Sequence, residues 1–162
     1  MRLMSEKMTV TGRLANLAMR RAPILGRTAT RVQMAVYDRT GGRFGSSLLG
    51  SPIFRLNVKG RKTGQLRPVM LMLVRRGDDL LVCGSQGGTP DHPNWWKNLV
   101  AAGEAEVQVG TQSWPVDVHV ITDPAERADA WDRLVRAYPD FATYAQLTTR
   151  ALPIAALIRK PA

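Results

Sequence analysis

Residues 52–84 read PIFRLNVKGRKTGQLRPVMLMLVRRGDDLLVCG. Ile53, Arg55 and Asn57 alternate with Phe54, Leu56 and Val58, the period-two pattern of a strand. Gly60-Arg61-Lys62-Thr63-Gly64 breaks the pattern as a turn. Pro68–Arg75 predicts a second strand, and its run Val69-Met70-Leu71-Met72-Leu73-Val74 is too uniformly apolar to have a wet face. Gly77-Asp78-Asp79 reads as a hairpin turn, and Leu80–Gly84 as the return strand.

The same rhythm continues downstream. Ala105–Val109 and Ser113–Ile121 flank Gly110-Thr111-Gln112 as a second strand pair, and the apolar Leu152–Ile158 predicts a final strand. One helix runs from Pro93 through Trp95, Trp96, Leu99 and Val100 to Gly103. A second opens at Asp123, a capping residue, with Glu126 placed to reach back; its apolar face is Trp131, Leu134, Val135 and Tyr138. A third covers Asp140 to Arg150. Upstream, Val10, Leu14, Leu17 and Ala18 give an amphipathic helix over 9–25, which Pro23 should end or kink. A short helix over 29–39 and a glycine-rich breaker, Thr40–Ser47, follow. Close-set strands with helices inserted late predict an α+β fold, mainly β: an antiparallel sheet closed into a small barrel, not a doubly wound parallel sheet. The expected organisation is a basic N-terminal helical segment, 1–45, and a barrel domain, 46–162.

A chain of 162 residues suits one core. Its single cysteine, Cys83, excludes an internal disulfide and a cysteine-rich zinc site, and no metal is expected. No apolar run long enough for a membrane helix and no secretion signal appear, so a reducing cytoplasm is the expected location. The net charge of +10 is unevenly spread: residues 1–76 hold 16 of the 23 Lys/Arg and only 2 of the 13 Asp/Glu. Such a front half wants an anionic partner: nucleic acid, an anionic membrane or a phosphorylated cofactor. The bases are not interleaved with exposed aromatics and no helix-turn-helix or zinc pattern appears, so nucleic acid is not expected.

Four segments carry chemistry. In Gly60–Arg67, two glycines let a ligand approach the backbone, and Arg61, Lys62, Thr63 and Arg67 supply a guanidinium fork, a point charge and a hydroxyl. That set suits a phosphate, and it equally describes a basic hairpin tip. Cys83-Gly84-Ser85-Gln86-Gly87-Gly88 follows a strand and precedes a helix, which allows close approach to a flat ligand or merely a flexible loop. Trp95 and Asn98 share one helical face, an aromatic wall beside an amide donor, whereas Trp96 reads as core. Tyr138, Phe141 and Tyr144 recur at a spacing of three, as packing or as a substrate wall with two phenols.

In this order the segments resemble the deazaflavin-dependent nitroreductases, also described as quinone reductases that use reduced coenzyme F420. The resemblance spans Tyr37 to Ile158. Its marks stand here as Thr40–Gly45, Gly60–Gly64 with Arg67, Gly77-Asp78, Ser85–Gly88, Pro93–Leu99 and Tyr138–Tyr144. It implies a split β-barrel related to flavin-binding barrels. Arg61, Lys62, Thr63, Gly64 and Arg67 would hold the phosphate and acidic tail. Met70, Ser85, Gln86, Gly87, Trp95 and Asn98 would meet the deazaflavin ring. Hydride would pass to a quinone, enone or nitro compound beside Tyr138, Phe141 and Tyr144, with Tyr138, Tyr144 or Ser85 polarising or protonating it. Phe141 stands where the family often has Tyr, which removes one candidate proton donor and the basis for carrying over activity on bulky nitroaromatics. Gln86 stands where Lys is common, which implies a weaker coenzyme contact. The alternatives are an FMN enzyme on the same barrel and a non-catalytic deazaflavin carrier. The helix over 9–25 suggests peripheral contact with an anionic membrane or packing on the barrel.

Overall fold

The computed structural model describes residues 23–42, 47–48 and 50–161, with the side chains of 23–31 and 48 excepted. Helix α1 (Pro23–Thr40) leads to strands β1 (Ser47–Leu48), β2 (Ser51–Lys59), β3 (Leu66–Met72), β4 (Val74–Arg76) and β5 (Asp79–Cys83). A 3-10 turn (Gln86–Gly88) and helix α2 (Asn94–Ala102) precede the hairpin β6 (Glu104–Val109) and β7 (Gln112–Val120). Helices α3 (Pro124–Ala137) and α4 (Asp140–Gln146) follow, and β8 (Ile154–Arg159) ends the described fold.

All strand pairs are antiparallel. The order is β1-β2-β6-β7-β8-β5-β4, with β3 on the other side of β2. Only Leu73 separates β3 from β4, so one bent strand belongs to both ends of the sheet and closes it into a barrel. Leu73 N–H donates the last rung to Pro52 O (2.8 Å), and Val74 then pairs with Leu81. The single strand expected over Pro68–Arg75 therefore breaks at Leu73. The break is the split: β3 stays with β2 and β4 with β5, leaving a cleft between them.

Two apolar clusters follow from strand alternation. Leu80 and Val82 point into the barrel with Phe54, Leu56, Trp96, Leu99 and Leu157. Leu81 and Cys83 point outward beneath α3 and α4, with Leu134, Phe141, Tyr144 and Ile154. The run Val69–Val74 is half-buried to buried throughout, as its composition requires. Helix α1 is tied to the barrel by Tyr37, which is fully buried. Its hydroxyl accepts from Gly110 N–H (2.7 Å) and donates to Gln108 O (3.2 Å). Arg55 adds an ion pair to Asp38.

The helix expectations need three corrections. Residues 9–22 of the expected first helix lie outside the described residues; from Pro23 onward one helix runs to Thr40, not a break followed by a short helix. The helix expected to reach Arg150 stops at Gln146, before the β-branched pair Thr148-Thr149. Asp123 Oδ1 does accept from Glu126 N–H (2.8 Å), but the Glu126 carboxylate takes Arg76 (2.7 Å) and His119 (3.0 Å) instead of reaching back. Among the described residues no helix is long and apolar enough to cross a membrane.

Candidate active site

The turn between β2 and β3 is built by its own backbone. Gly60 N–H donates to Gln65 O (2.8 Å), and Gly64 N–H donates to Gly60 O (2.7 Å). Gly64 sits at φ +68°, a left-handed conformation that glycine adopts without a Cβ penalty. The three residues between are thereby lifted into solvent: Arg61, Lys62 and Thr63 are all exposed. The first two turns of α2 face them. Asn98 Oδ1 accepts from both the backbone N–H (3.2 Å) and Nη1 (2.8 Å) of Arg61, and Asn94 Oδ1 accepts from Nη2 (3.3 Å). Arg67 Nη2 donates to Thr63 Oγ1 at 3.5 Å. Among the described residues none of Arg61, Lys62 and Arg67 has a carboxylate within ion-pair distance. The result is an open recess of about 490 Å³, edged by these cations, Thr63, Asn94, Asn98 and Trp95.

A second, largely apolar cavity of about 210 Å³ lies in the split. Its walls are Met70, Leu71 and Met72 of β3, Leu81 to Cys83 of β5, the turn Ser85-Gln86-Gly87, and Leu134, Tyr138, Phe141 and Tyr144 from the helices. Trp95 borders both spaces. It packs edge-on against the buried Trp96 (5.8 Å between ring centres, 79°), so the barrel core fixes the partition. Because Gln65 O and Leu73 N–H both face β2, the odd-numbered residues of β3 spend their backbone groups on that pairing. The even-numbered Met70 and Met72 turn theirs the other way, toward the cleft. Pro68, which has no N–H, sits on that open edge, where a missing donor costs least.

The far wall holds two phenols. The Tyr138 and Tyr144 hydroxyls are 3.1 Å apart. Burial, then the Tyr144 hydroxyl and the nearby Asp140 carboxylate, push the Tyr138 phenol well above its usual range. Burial also raises Tyr144. Both therefore keep their protons at neutral pH and can donate. Phe141 stacks edge-on against Tyr138 at 5.3 Å and supplies no proton. Cys83 is buried and its thiol is pushed up to about 12, chiefly by desolvation, so it is an apolar wall and not a nucleophile.

The structure thus brings Arg61, Lys62, Thr63, Gly64, Arg67, Asn98 and Trp95 to one end, and Met70, Ser85, Gln86, Gly87, Tyr138, Phe141 and Tyr144 to the other. Asn98 belongs with the basic turn, as the acceptor that aims Arg61; it does not border the apolar cavity. Sequence reading missed Arg150, whose guanidinium grips the Gly84–Thr89 loop from behind. Its one signal was a lone cation after an apolar helix, which points equally to solvent. Among the described residues no cluster of His, Cys, Asp and Glu is placed to hold a metal.

The donor set fits an anionic flat cofactor: uncompensated cations stand at the mouth of an apolar slot. Comparison with known proteins agrees. The family model for F420H(2)-dependent quinone reductases matches residues 29–159. An F420H(2)-dependent quinone reductase of Mycobacterium tuberculosis is 33% identical over 137 residues, covering 80% of this chain and 89% of its own. A solved F420-H2 dependent reductase is 33% identical, with a TM-score of 0.61 over 65% of this chain and 93% of its own. A solved domain-swapped dimer is 31% identical, with a TM-score of 0.64 over 78% of this chain and 95% of its own. A haem-binding protein from Mycobacterium smegmatis, 12% identical with a TM-score of 0.51 over 65% of this chain and 45% of its own, shares the fold alone. The chain belongs to the F420H(2)-dependent quinone reductase family, split-barrel oxidoreductases whose cofactor is coenzyme F420.

Proposed function

We propose that this chain reduces quinones with reduced coenzyme F420, and that the two spaces beside Trp95 divide the work. The observation that carries this reading is the pairing of three cations, which among the described residues have no carboxylate partner, with an apolar slot across one tryptophan. Arg61, Lys62, Thr63, Gly64 and Arg67 hold the phosphodiester and glutamate tail, with Asn94 and Asn98 aiming the Arg61 fork. The ring lies between Trp95 and the β3 edge at Met70, against Ser85, Gln86 and Gly87. When bound, the coenzyme supplies a hydride. The protein's share is to orient it, exclude water and provide protons.

Met72, Phe141 and Leu134 close the slot to water. Tyr138 and Tyr144 are neutral and hydrogen-bonded to each other, so the pair keeps one free O–H to donate to the acceptor oxygen, with Ser85 on the opposite side. Phe141 makes the slot one hydroxyl poorer, which favours a small quinone over a bulky nitroaromatic. Residues 46–162 form the coenzyme-binding unit, and 1–45 a basic extension joined to it at Tyr37. The reading places the protein in the cytoplasm, with residues 9–25 contacting an anionic membrane, where lipid-soluble quinones reside. Deleting residues 1–28 should then abolish binding to anionic vesicles; unchanged binding removes the membrane contact alone.

The deciding experiment titrates the protein with oxidised coenzyme F420 and with FMN, read by fluorescence, then follows the absorbance of reduced coenzyme with menadione. Preference for F420 and loss of absorbance are expected. Tighter FMN binding points to a flavin enzyme, and tight F420 binding without turnover points to a carrier; either result overturns the reading.

A further inference from the structure

Arg150 lies behind the Ser85–Gly88 turn, outside the two spaces beside Trp95 and at the edge of a separate shallow groove with Arg127 and Thr148. Its Nη2 donates to Ser85 O (2.9 Å) and Gly84 O (3.2 Å), and its Nε to Thr89 O (2.9 Å). Its Nη1 lies 3.3 Å from His92 Nδ1, where the imidazole is the acceptor, since a guanidinium has no lone pair to offer. All of its nitrogens are therefore spent on residues 84–92. The chain that carries Arg150 is fixed as well: Arg127 Nη2 donates to Leu152 O (2.7 Å), and Pro153 O accepts from Gly84 N–H (2.9 Å). One short segment before β8 thus holds this loop from behind, by side chain and by backbone.

The opposite ends of the same peptides face the cavity. In a trans peptide, a carbonyl and the next residue's N–H point in opposite directions. The Gly84 and Ser85 carbonyls, drawn onto Arg150, turn the N–H groups of Ser85 and Gln86 to the other side, where Ser85, Gln86 and Gly87 line the cavity. Ser85 is right-handed helical (φ −72°, ψ −43°), while Gln86 and Gly87 are left-handed (φ +45° and +62°). A right-then-left succession curls consecutive N–H groups around one point and favours an electron-rich oxygen there. Gln86 is the one non-glycine residue at positive φ among those described, so surrounding contacts must hold it there. The turn closes itself locally, through Gly88 N–H to Ser85 O (3.0 Å) and Thr89 N–H to Gln86 O (3.2 Å). The bonds from Arg150 tie it to the segment that enters β8.

We propose that Arg150 is a positioning residue for the coenzyme ring: from behind, it holds the Ser85-Gln86-Gly87 turn so that the N–H groups of Ser85 and Gln86 are presented to the ring. It touches neither coenzyme nor acceptor. This role rests on the proposed function, which lays the ring against this turn, and it adds a residue that lines neither space. Two kinds of cation then serve one ligand. Arg61, Lys62 and Arg67 are exposed, open to the tail and screened by salt. Arg150 is half-buried, and desolvation lowers its proton affinity, because carbonyls replace water around its charge. It acts through two peptide groups, each polarised by the hydrogen bond at its carbonyl end. The ring's share of the affinity therefore depends on Arg150 and resists salt. The tail's share does not depend on Arg150 and fades with salt.

The test uses two ligands: oxidised coenzyme F420, and 8-hydroxy-5-deazariboflavin, which has the same ring without phosphate or glutamates. Each is titrated by fluorescence across a salt series. Arg150→Met should raise both Kd values roughly tenfold, the weight of about one hydrogen bond, and leave the salt dependence of coenzyme binding unchanged. Arg150→Lys, a point charge that cannot span both carbonyls and Thr89, should fall between. In ligand-free protein, hydrogen exchange over 84–89 should quicken in Arg150→Met while 60–67 exchanges as in the wild type. Equal ring Kd in wild type and Arg150→Met overturns the proposal. So does a loss seen with the coenzyme but not with the ring alone, which would make Arg150 a ligand of the tail. Faster exchange throughout the barrel also overturns it, since Arg150 would then be a general brace. Should Arg150→Met fail to fold by circular dichroism, Arg150→Lys decides. A weaker ring Kd with faster exchange confined to 84–89 upholds the proposal, and wild-type values for either overturn it. A wild type that binds neither ligand sinks the proposed function and this role together; wild-type binding that Arg150→Met matches sinks this role alone.

Discussion

The two ends of the active site are built in opposite ways. The basic end comes almost entirely from eight consecutive residues, Gly60 to Arg67, plus one helical turn that steadies Arg61. It is polar, exposed and shaped by local hydrogen bonds. The apolar end draws on residues from Ile53 to Tyr144, in three strands, a turn and three helices. It is half-enclosed and shaped by packing. The first holds a charged tail through strong, separable contacts. The second governs the reacting atoms through a shape to which no short segment contributes more than a part. Damage to the first should therefore cost affinity, and damage to the second should cost turnover or stability.

The largest effect tests that division directly. Arg61→Ala together with Lys62→Ala removes two charge-assisted donors, each worth about 1.5–3 kcal/mol, so coenzyme Kd should rise roughly 100-fold or more. The ranking of quinone acceptors should stay unchanged in steady-state assays. A changed ranking would mean that the two ends are not separable. Next, Tyr144→Phe removes one proton-bearing phenol and its hydrogen bond to the other. Turnover should fall roughly 10- to 100-fold while Kd for the oxidised coenzyme stays nearly constant. A loss confined to coenzyme binding would move Tyr144 from the acceptor side to the cofactor side.

Smaller effects concern how the apolar end is held. A Cβ at Gly88 would lie 2.5 Å from Tyr144 O and 2.9 Å from Leu147 Cβ, and Gly88 has φ +75°. Gly88→Ala should push the turn away from α4 and destabilise the fold by about 2–3 kcal/mol, measurable as a lower midpoint in urea. The last effect is alkaline. Burial raises the folded-state pKa of Cys83 to about 12 and also raises Tyr138 and Tyr144. A group whose folded pKa lies above its unfolded value contributes stability below the unfolded pKa and loses it as pH rises. Stability should thus hold to pH of about 8.5, the unfolded thiol value, then decline toward pH 12. Iodoacetamide should leave Cys83 unlabelled in native protein at neutral pH and label it in denaturant.

The same contrast explains what could be read in advance. The turn at Gly60–Gly64 was legible because its glycines, charges and flanking strands are neighbours in the chain. Most strands were legible because one face meets the core and the other does not, which writes a period of two into the sequence. The break at Leu73 was not. Val69 to Val74 is apolar on both sides because the two sides meet two different clusters, and composition gives no mark of where one partner strand is exchanged for another. Helix α4 was overextended for a related reason. The β-branched pair Thr148-Thr149 disfavours a helix only weakly, whereas Arg150 contacts the loop behind the Ser85 turn, a segment more than 60 residues away. Asn98 was placed on the correct helix face, yet the side chain it answers, Arg61, lies 37 positions earlier.

By itself the sequence determined the antiparallel barrel, the basic turn and the charge that an anionic ligand must answer. These are properties of neighbouring residues, and local alternation, turn chemistry and summed charge are additive along a chain. The tertiary structure decided where the barrel splits, that Trp95 borders both spaces, and that Arg150 stands behind a left-handed turn whose front lines a pocket. Those are relations between distant segments, fixed only when apolar burial has brought them together and each buried polar group has found its partner.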